Sequence, residues 1–181
     1  MIGAMKTVTV DWQPEQHRFE AHGGHAGRIV HMNAPHADGG PTGFSPAEML
    51  LAGAGGCSAW DVVEILHKQR QRVTAIQVVV RGEQAAEPPF PFVRIRVEYY
   101  VSGHHLNEAK VRRAVELSEQ RYCSVIGTIR GVAEILCEVH VREAEGAPGD
   151  ALGSAHPNGN IGSGAMGAPT VEATVALNAP D

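Results

Sequence analysis

The stretch Ser45-Pro46-Ala47-Glu48-Met49-Leu50-Leu51-Ala52-Gly53-Ala54-Gly55-Gly56-Cys57-Ser58-Ala59-Trp60-Asp61-Val62-Val63 decides how the rest of the chain is read. It opens as a helix opens. Ser45 can accept a hydrogen bond at the N-cap, Pro46 suits the first helical position, and Glu48 completes a capping box. A helix is predicted over residues 46–69. Its first half, residues 49–59, carries no charge, and a helix that is apolar all round must be covered on all sides. Gly53, Gly55 and Gly56 each cost about 1 kcal/mol against Ala in a helix interior. Their crowding predicts that another backbone or helix packs very close. The second half is amphipathic and runs into His67, Lys68, Arg70 and Arg72, cations that suit a helix C-terminus.

Working outward, residues 6–12 alternate polar and apolar, and residues 17–21 and 28–32 read as two more short strands. Gly23-Gly24 turns between them, and a Gly- and Pro-rich loop, 33–43, precedes the helix. On the other side, residues 73–81 and 93–101 are strands. In the second of these, Arg94, Arg96 and Glu98 alternate with Val93, Ile95, Val97 and Tyr99, which predicts one buried and one wet face. Residues 107–120 form a second amphipathic helix, broken at Tyr122-Cys123-Ser124 and followed by a short apolar turn to Ile129. Residues 132–141 are the last clear strand. The order β-β-β-α-β-β-α-β predicts an α+β fold rather than a doubly wound sheet. A buried, Gly-rich helix needs more cover than one small sheet supplies, so a homodimer is expected.

The domain boundaries follow from composition. Residues 1–143 form the folded domain. Residues 144–170 hold seven Gly and three Pro and read as a flexible linker. Residues 171–181 form a tail in which Val171, Ala173, Val175 and Leu177 allow one short strand. Of the 181 residues 43 % are hydrophobic, enough for a core, and only 5 % are aromatic, so that core is aliphatic. A net charge of −5 lacks the basic footprint of a nucleic-acid binder. The longest uncharged apolar run, residues 49–60, falls short of the roughly 20 residues that a bilayer span needs. Residues 1–10 do not read as a signal peptide. A cytoplasmic protein without nucleic-acid or membrane partners is expected.

The three cysteines are the groups with chemistry to offer. An odd number argues against a fully paired framework, and the absence of Cys-x-x-Cys argues against a cysteine zinc site. Cys137 alternates with Ile135 and Val139 and reads as a core residue. Cys57 is either a small hydrophobe in the helix or a reactive thiol. Cys123 stands where one helix ends and an apolar turn begins, with the same two readings. Together the two could act as attacking and resolving thiols. His17, His22, His25, His31 and His36 fall close together, but no spacing matches a metal site, and solvated histidines are expected. Gly53–Gly56 lacks the Gly-Lys-Ser/Thr of a phosphate loop, and Cys57-Ser58 lacks the Gly-x-Ser-x-Gly of a hydrolase elbow.

The stretch from Ser45 to Val63, continued by Ile65-Leu66-His67-Lys68-Gln69-Arg70, resembles the central-helix motif of the OsmC/Ohr family, the osmotically inducible and organic hydroperoxide resistance proteins. Ala114-Val115-Glu116-Leu117-Ser118-Glu119-Gln120-Arg121-Tyr122-Cys123-Ser124-Val125 resembles the family's second cysteine motif. The resemblance spans roughly residues 6–142. It implies an intertwined homodimer, with antiparallel sheets wrapped round long central helices. It implies a thiol-dependent peroxidase in oxidative-stress defence, with Cys57 peroxidatic and Cys123 resolving. An external dithiol would be the reductant, with no bound cofactor and no metal. Hydroperoxide-resistance members carry an arginine after Gly-Gly and a glutamate after the helix-start proline. Here His25 follows Gly23-Gly24 and Ala47 follows Pro46, which places the chain nearer the OsmC-like branch. His25, Arg28 and Glu48 are the possible activators. Glu48 precedes Cys57 by nine residues, about 13 Å along the helix and half a turn round it. It therefore does not reach that thiol in its own chain. The alternative function is a binding protein, holding a small hydrophobic ligand on the same scaffold with the cysteines merely packed.

Overall fold

The Ser45 hydroxyl accepts a hydrogen bond from the Glu48 N–H at 3.2 Å, and the Glu48 carboxylate accepts one from the Ser45 N–H at 2.7 Å. This capping box starts helix α1 (Pro46–Lys68), the spine of the computed structural model, which describes residues 5–24, 28–33 and 43–144. The expected linker (apart from Ala144), the tail strand, His25 and His36 lie outside the described residues.

Strands β1 (Thr9–Gln13), β2 (Arg18–His22) and β3 (Ile29–Met32) pair antiparallel in chain order before α1. After it, β4 (Arg72–Gln84) and β5 (Phe92–His104) form a long antiparallel hairpin. The chain then runs through helix α2 (Glu108–Leu117), a π-helical turn (Ser118–Tyr122) and helix α3 (Ser124–Ile129). It ends in β6 (Glu134–Glu143), which pairs with β5 in parallel. The architecture is α+β, in the element order read from the sequence. The expectation of antiparallel sheets holds for the first sheet and for β4–β5 but not for β5–β6. The reason is the helical crossover between them, which returns the chain to the end of the sheet from which β5 started.

The two-residue period of β5 sorts its side chains as expected. Ile95, Val97, Tyr99 and Val101 are buried. They pack with Val62 and Leu66 of α1, Val73 of β4, and Val111, Ala114 and Val115 of α2 in one core that is aliphatic but for Tyr99. On the outer face Arg94 bridges Glu83 and Glu134, Arg96 meets Glu138, and Arg81 meets Glu98 at 2.6 Å. Exposed pairs of this kind contribute little to stability. The burial of the opposite face holds the sheet to α1.

The glycines of α1 divide by face. A Cβ on Gly55 would stand 2.8 Å from a Val80 methyl, so the close approach expected there is made by β4. A Cβ on Gly53 or Gly56 would meet no atom within 4 Å among the described residues. By length and composition alone α1 could cross a membrane, a test that the core helix of a soluble protein also passes. Here Ala54, Gly55, Ser58, Val62 and Leu66 are buried, and Asp61 and Glu64 sit in its second half.

Two substitutions separate packing from capping. Leu66 is fully buried, and Leu66→Ala is expected to cost about 2–5 kcal/mol through lost contacts and the cavity left behind. Ser45→Ala strands one helix N–H and is expected to cost about 1 kcal/mol. Urea unfolding at fixed protein concentration checks both, and equal shifts would contradict this ranking.

Candidate active site

Ala54, Cys57, Ser58 and Asp61 recur at helical spacing and form one stripe of α1. The stripe faces the π turn and α3. The turn is closed by a bond from the Cys123 N–H to the Ser118 carbonyl at 2.9 Å, one residue wider than an α-turn. It leaves Cys123 in an extended conformation as the N-cap of α3, where its sulfur accepts from the Ile126 N–H at 3.4 Å. Cysteine here does the work that Ser, Thr, Asp or Asn usually does. Ala54, Cys123 and Ile126 form a small buried cluster beside the main core, with Cys57, Val125, Ile129 and Ile135 packed round it.

The two sulfurs face one another as free thiols. Cys57 Sγ, Cys123 Sγ and a carboxylate oxygen of Asp61 all lie within 4.8 Å of each other. Cys57 is half-buried, whereas Cys123 is only 4 % exposed. The Ser124 hydroxyl stands 3.8 Å from Cys57 Sγ. Asp61 is held from behind: the buried Ser118 hydroxyl lies 3.0 Å from its Oδ2 and 3.3 Å from the Ser58 carbonyl, and shares its proton between them. The Ser58 hydroxyl donates to the Gly55 carbonyl at 3.1 Å, one turn earlier.

The environments drive the thiols apart in acidity. Burial acts to raise the pKa of Cys57, but hydrogen bonds from the Val125 N–H, the Cys123 thiol and Ser124 outweigh it, leaving this thiol below its ordinary value. Cys123 is pushed up to about 11, first by burial and then by its Cys57 neighbour, against the opposing Ile126 N–H. Cys137, on β6, is pushed up to about 12 by burial and by the charge of Glu119. The arrangement makes Cys57 the more acidic of the two thiols.

The sequence-derived candidates fall in different places. Cys57 and Cys123 come together. Glu48 is committed to the helix cap, its carboxyl lowered by the Ser45 N–H, and it sits across α1 from Cys57. There it borders an apolar groove of about 410 Å³ between α1 and β4, lined also by Phe44, Leu51, Gly55, Ile76 and Val78. Arg28 is exposed just before β3, and its guanidinium makes no hydrogen bond or ion pair among the described residues. His25 lies outside them. Asp61, Ser118 and Ser124 were not singled out from the sequence. The signal for Asp61 was present, since it follows Cys57 by one helical turn. Ser118 is recognisable only once the π turn is known.

Residues 38–138 match the family described as OsmC-like protein. Protein YhfA of Escherichia coli K12 is 44 % identical over 100 residues, covering 55 % of this chain and 72 % of that protein. A hypothetical protein from Aquifex aeolicus VF5 superimposes with a TM-score of 0.69 at 26 % identity, over 79 % of this chain and 100 % of that one. An organic hydroperoxide resistance protein OsmC from Legionella pneumophila shares the fold, with a TM-score of 0.58 at 15 % identity over 78 % of this chain and 100 % of that one. The paired cysteine motifs, the fold and these likenesses agree: the chain belongs to the OsmC-like family.

Proposed function

We propose that this chain is a thiol-dependent peroxidase that reduces organic hydroperoxides in oxidative-stress defence. The observation that carries the reading is the pairing of a half-buried thiol whose pKa is lowered with a buried one whose pKa is raised, their sulfurs within 4.8 Å. In the proposed cycle the Cys57 thiolate attacks a peroxide oxygen. The O–O bond breaks, the alcohol leaves with a proton, and Cys57 becomes a sulfenic acid. The Cys123 thiol gives up its proton and attacks that sulfur, water leaves, and a disulfide closes. The sulfurs, within 4.8 Å in the reduced form, then close to the bonded distance of about 2.05 Å. An external dithiol resets the pair by exchange, as expected of a reducing, cytoplasmic compartment. No bound cofactor is needed for these steps. The hydroperoxide resistance protein of similar fold supports the substrate class.

The working unit in this reading is a homodimer. Trp12, Phe19, Ile29, Phe44, Leu50 and Trp60 are exposed, Trp60 by 70 %, and the open Gly53 and Gly56 lie on α1 near the last two. A second copy of the chain would cover these apolar surfaces and supply the close packing that the glycines leave room for. Light scattering is expected to give twice the chain mass, and a stable monomer would remove this element. A second reading rests on the groove of about 410 Å³ between α1 and β4, which would hold a small hydrophobic ligand while the thiols stay packed. Unmodified thiols in a folded protein after mild peroxide treatment would favour it.

Turnover of cumene hydroperoxide with dithiothreitol is the direct test. Cys57→Ser and Cys123→Ser are each expected to lose at least about a hundredfold in rate, and Cys137→Ser to keep it. Equal rates in all four proteins would end the peroxidase reading. Alkylation gives the pH test. A lowered pKa means that the thiolate persists to lower pH, so the iodoacetamide rate at Cys57 is expected to rise at lower pH than that of an ordinary thiol. Cys123 and Cys137, both raised, are expected to react last. Mass mapping of the first alkylated residue checks the order.

A further inference from the structure

Sequence spacing excludes a Cys-x-x-Cys metal site, but the fold assembles a different one. Cys57 and Asp61 stand one helical turn apart on α1, and the capping turn of α3 presents Cys123 to both. Their three ligand atoms lie within 4.8 Å of one another. A tetrahedral zinc ion with Zn–S bonds of about 2.3 Å holds its sulfurs about 3.8 Å apart. Bringing the two sulfurs to that separation takes at most about 1 Å, and closing the carboxylate on them takes side-chain shifts of similar size. The third ligand is already oriented, because the Ser118 hydroxyl donates to Asp61 from the second layer, as outer partners of metal-bound carboxylates do. The exposed side of Cys57 provides an entry path and leaves a fourth position to solvent.

The donor set selects the ion. Two sulfurs and one carboxylate suit a borderline or soft cation and do not suit Ca²⁺ or Mg²⁺, which require oxygen ligands. Three formal negative charges in the fully deprotonated cluster call for a dication. We propose that the reduced Cys57–Cys123 pair and Asp61 form a binding site for one thiophilic divalent cation, with Zn²⁺ as the best-fitting representative. On binding, two metal–sulfur bonds form, both thiol protons pass to solvent, and no electron moves. The disulfide form has no thiolate to offer, so cation binding and disulfide formation exclude one another. A loaded site holds the pair in its reduced state. This binding does not depend on peroxide turnover, and its test does not measure it.

Metal-stripped, reduced full-length protein is titrated with Zn²⁺ against a chromophoric zinc indicator, and with Co²⁺ alone while thiolate-to-cobalt absorption is followed. Wild type is expected to take up one ion per chain, to develop that absorption, and to alkylate at Cys57 at least about tenfold more slowly once loaded. Asp61→Asn is expected to weaken Zn²⁺ binding by about tenfold or more while leaving both thiols in place. Cys57→Ser and Cys123→Ser, checked for folding by circular dichroism, are expected to lose stoichiometric binding. Mg²⁺ is expected not to compete. Zn²⁺ uptake unchanged in the double Cys57→Ser/Cys123→Ser protein would assign the ion to the chain's histidines and overturn the proposal. So would the absence of thiolate–cobalt absorption in wild type, or Asp61→Asn binding as tightly as wild type.

Discussion

The Ser118 hydroxyl is buried between two segments sixty residues apart in the chain, and it has two oxygens to satisfy, the Ser58 carbonyl and the Asp61 carboxylate. Every part of the thiol site refers back to that contact. It fixes the π turn against α1, and the turn in turn fixes where α3 begins. The start of α3 sets the position of Cys123 and of the N–H groups that meet Cys57. Leaving a buried polar group of this kind unpaired costs about 1–3 kcal/mol, more than a typical exposed ion pair contributes. The outward ladder of Arg81, Arg94 and Arg96 with their glutamates is longer but matters less to the geometry of the site.

What lowers the Cys57 thiol is also distinctive. The donors that outweigh its burial are, largest first, the Val125 N–H, the Cys123 thiol, the Ser124 hydroxyl and the Ser124 N–H. A guanidinium or carboxylate from elsewhere is not among them. The positions where hydroperoxide-resistance members keep such groups hold His25 and Ala47 here. Donors built from the main chain are fixed by the fold rather than by side-chain choice. In this chain the acidity of the first thiol thus rests on the same turn that Ser118 anchors.

Local signals were legible in the sequence and relational ones were not. Ser45-Pro46-Ala47-Glu48 announces the start of α1 because a capping box is satisfied within four residues. The alternation of Ile95, Val97 and Tyr99 with Arg94, Arg96 and Glu98 marks β5 because each residue reports its own face. The parallel pairing of β5 with β6 left no such trace, since it is imposed by the crossover and not by either strand. The break at Tyr122-Cys123-Ser124 was visible, but not that the turn before it is π-helical with its donor bonded five residues back. The Gly-rich segment of α1 was half legible: the crowding pointed to close packing, but only the fold shows that β4 supplies it at Gly55 and leaves Gly53 and Gly56 open. Asp61 escaped notice because its partner Ser118 is distant in sequence.

The parallel placement of β6 reaches beyond architecture into the order of assembly. A hairpin such as β4–β5 can zip from its own loop, but β6 can join β5 only after α2, the π turn and α3 have crossed over the sheet. Long-range closures of this kind are slow, because chain entropy is lost before any contact compensates for it. The crossover that must be in place for the last strand is the same segment that carries Cys123 to Cys57. Completion of the sheet and creation of the thiol pair therefore depend on one and the same crossover.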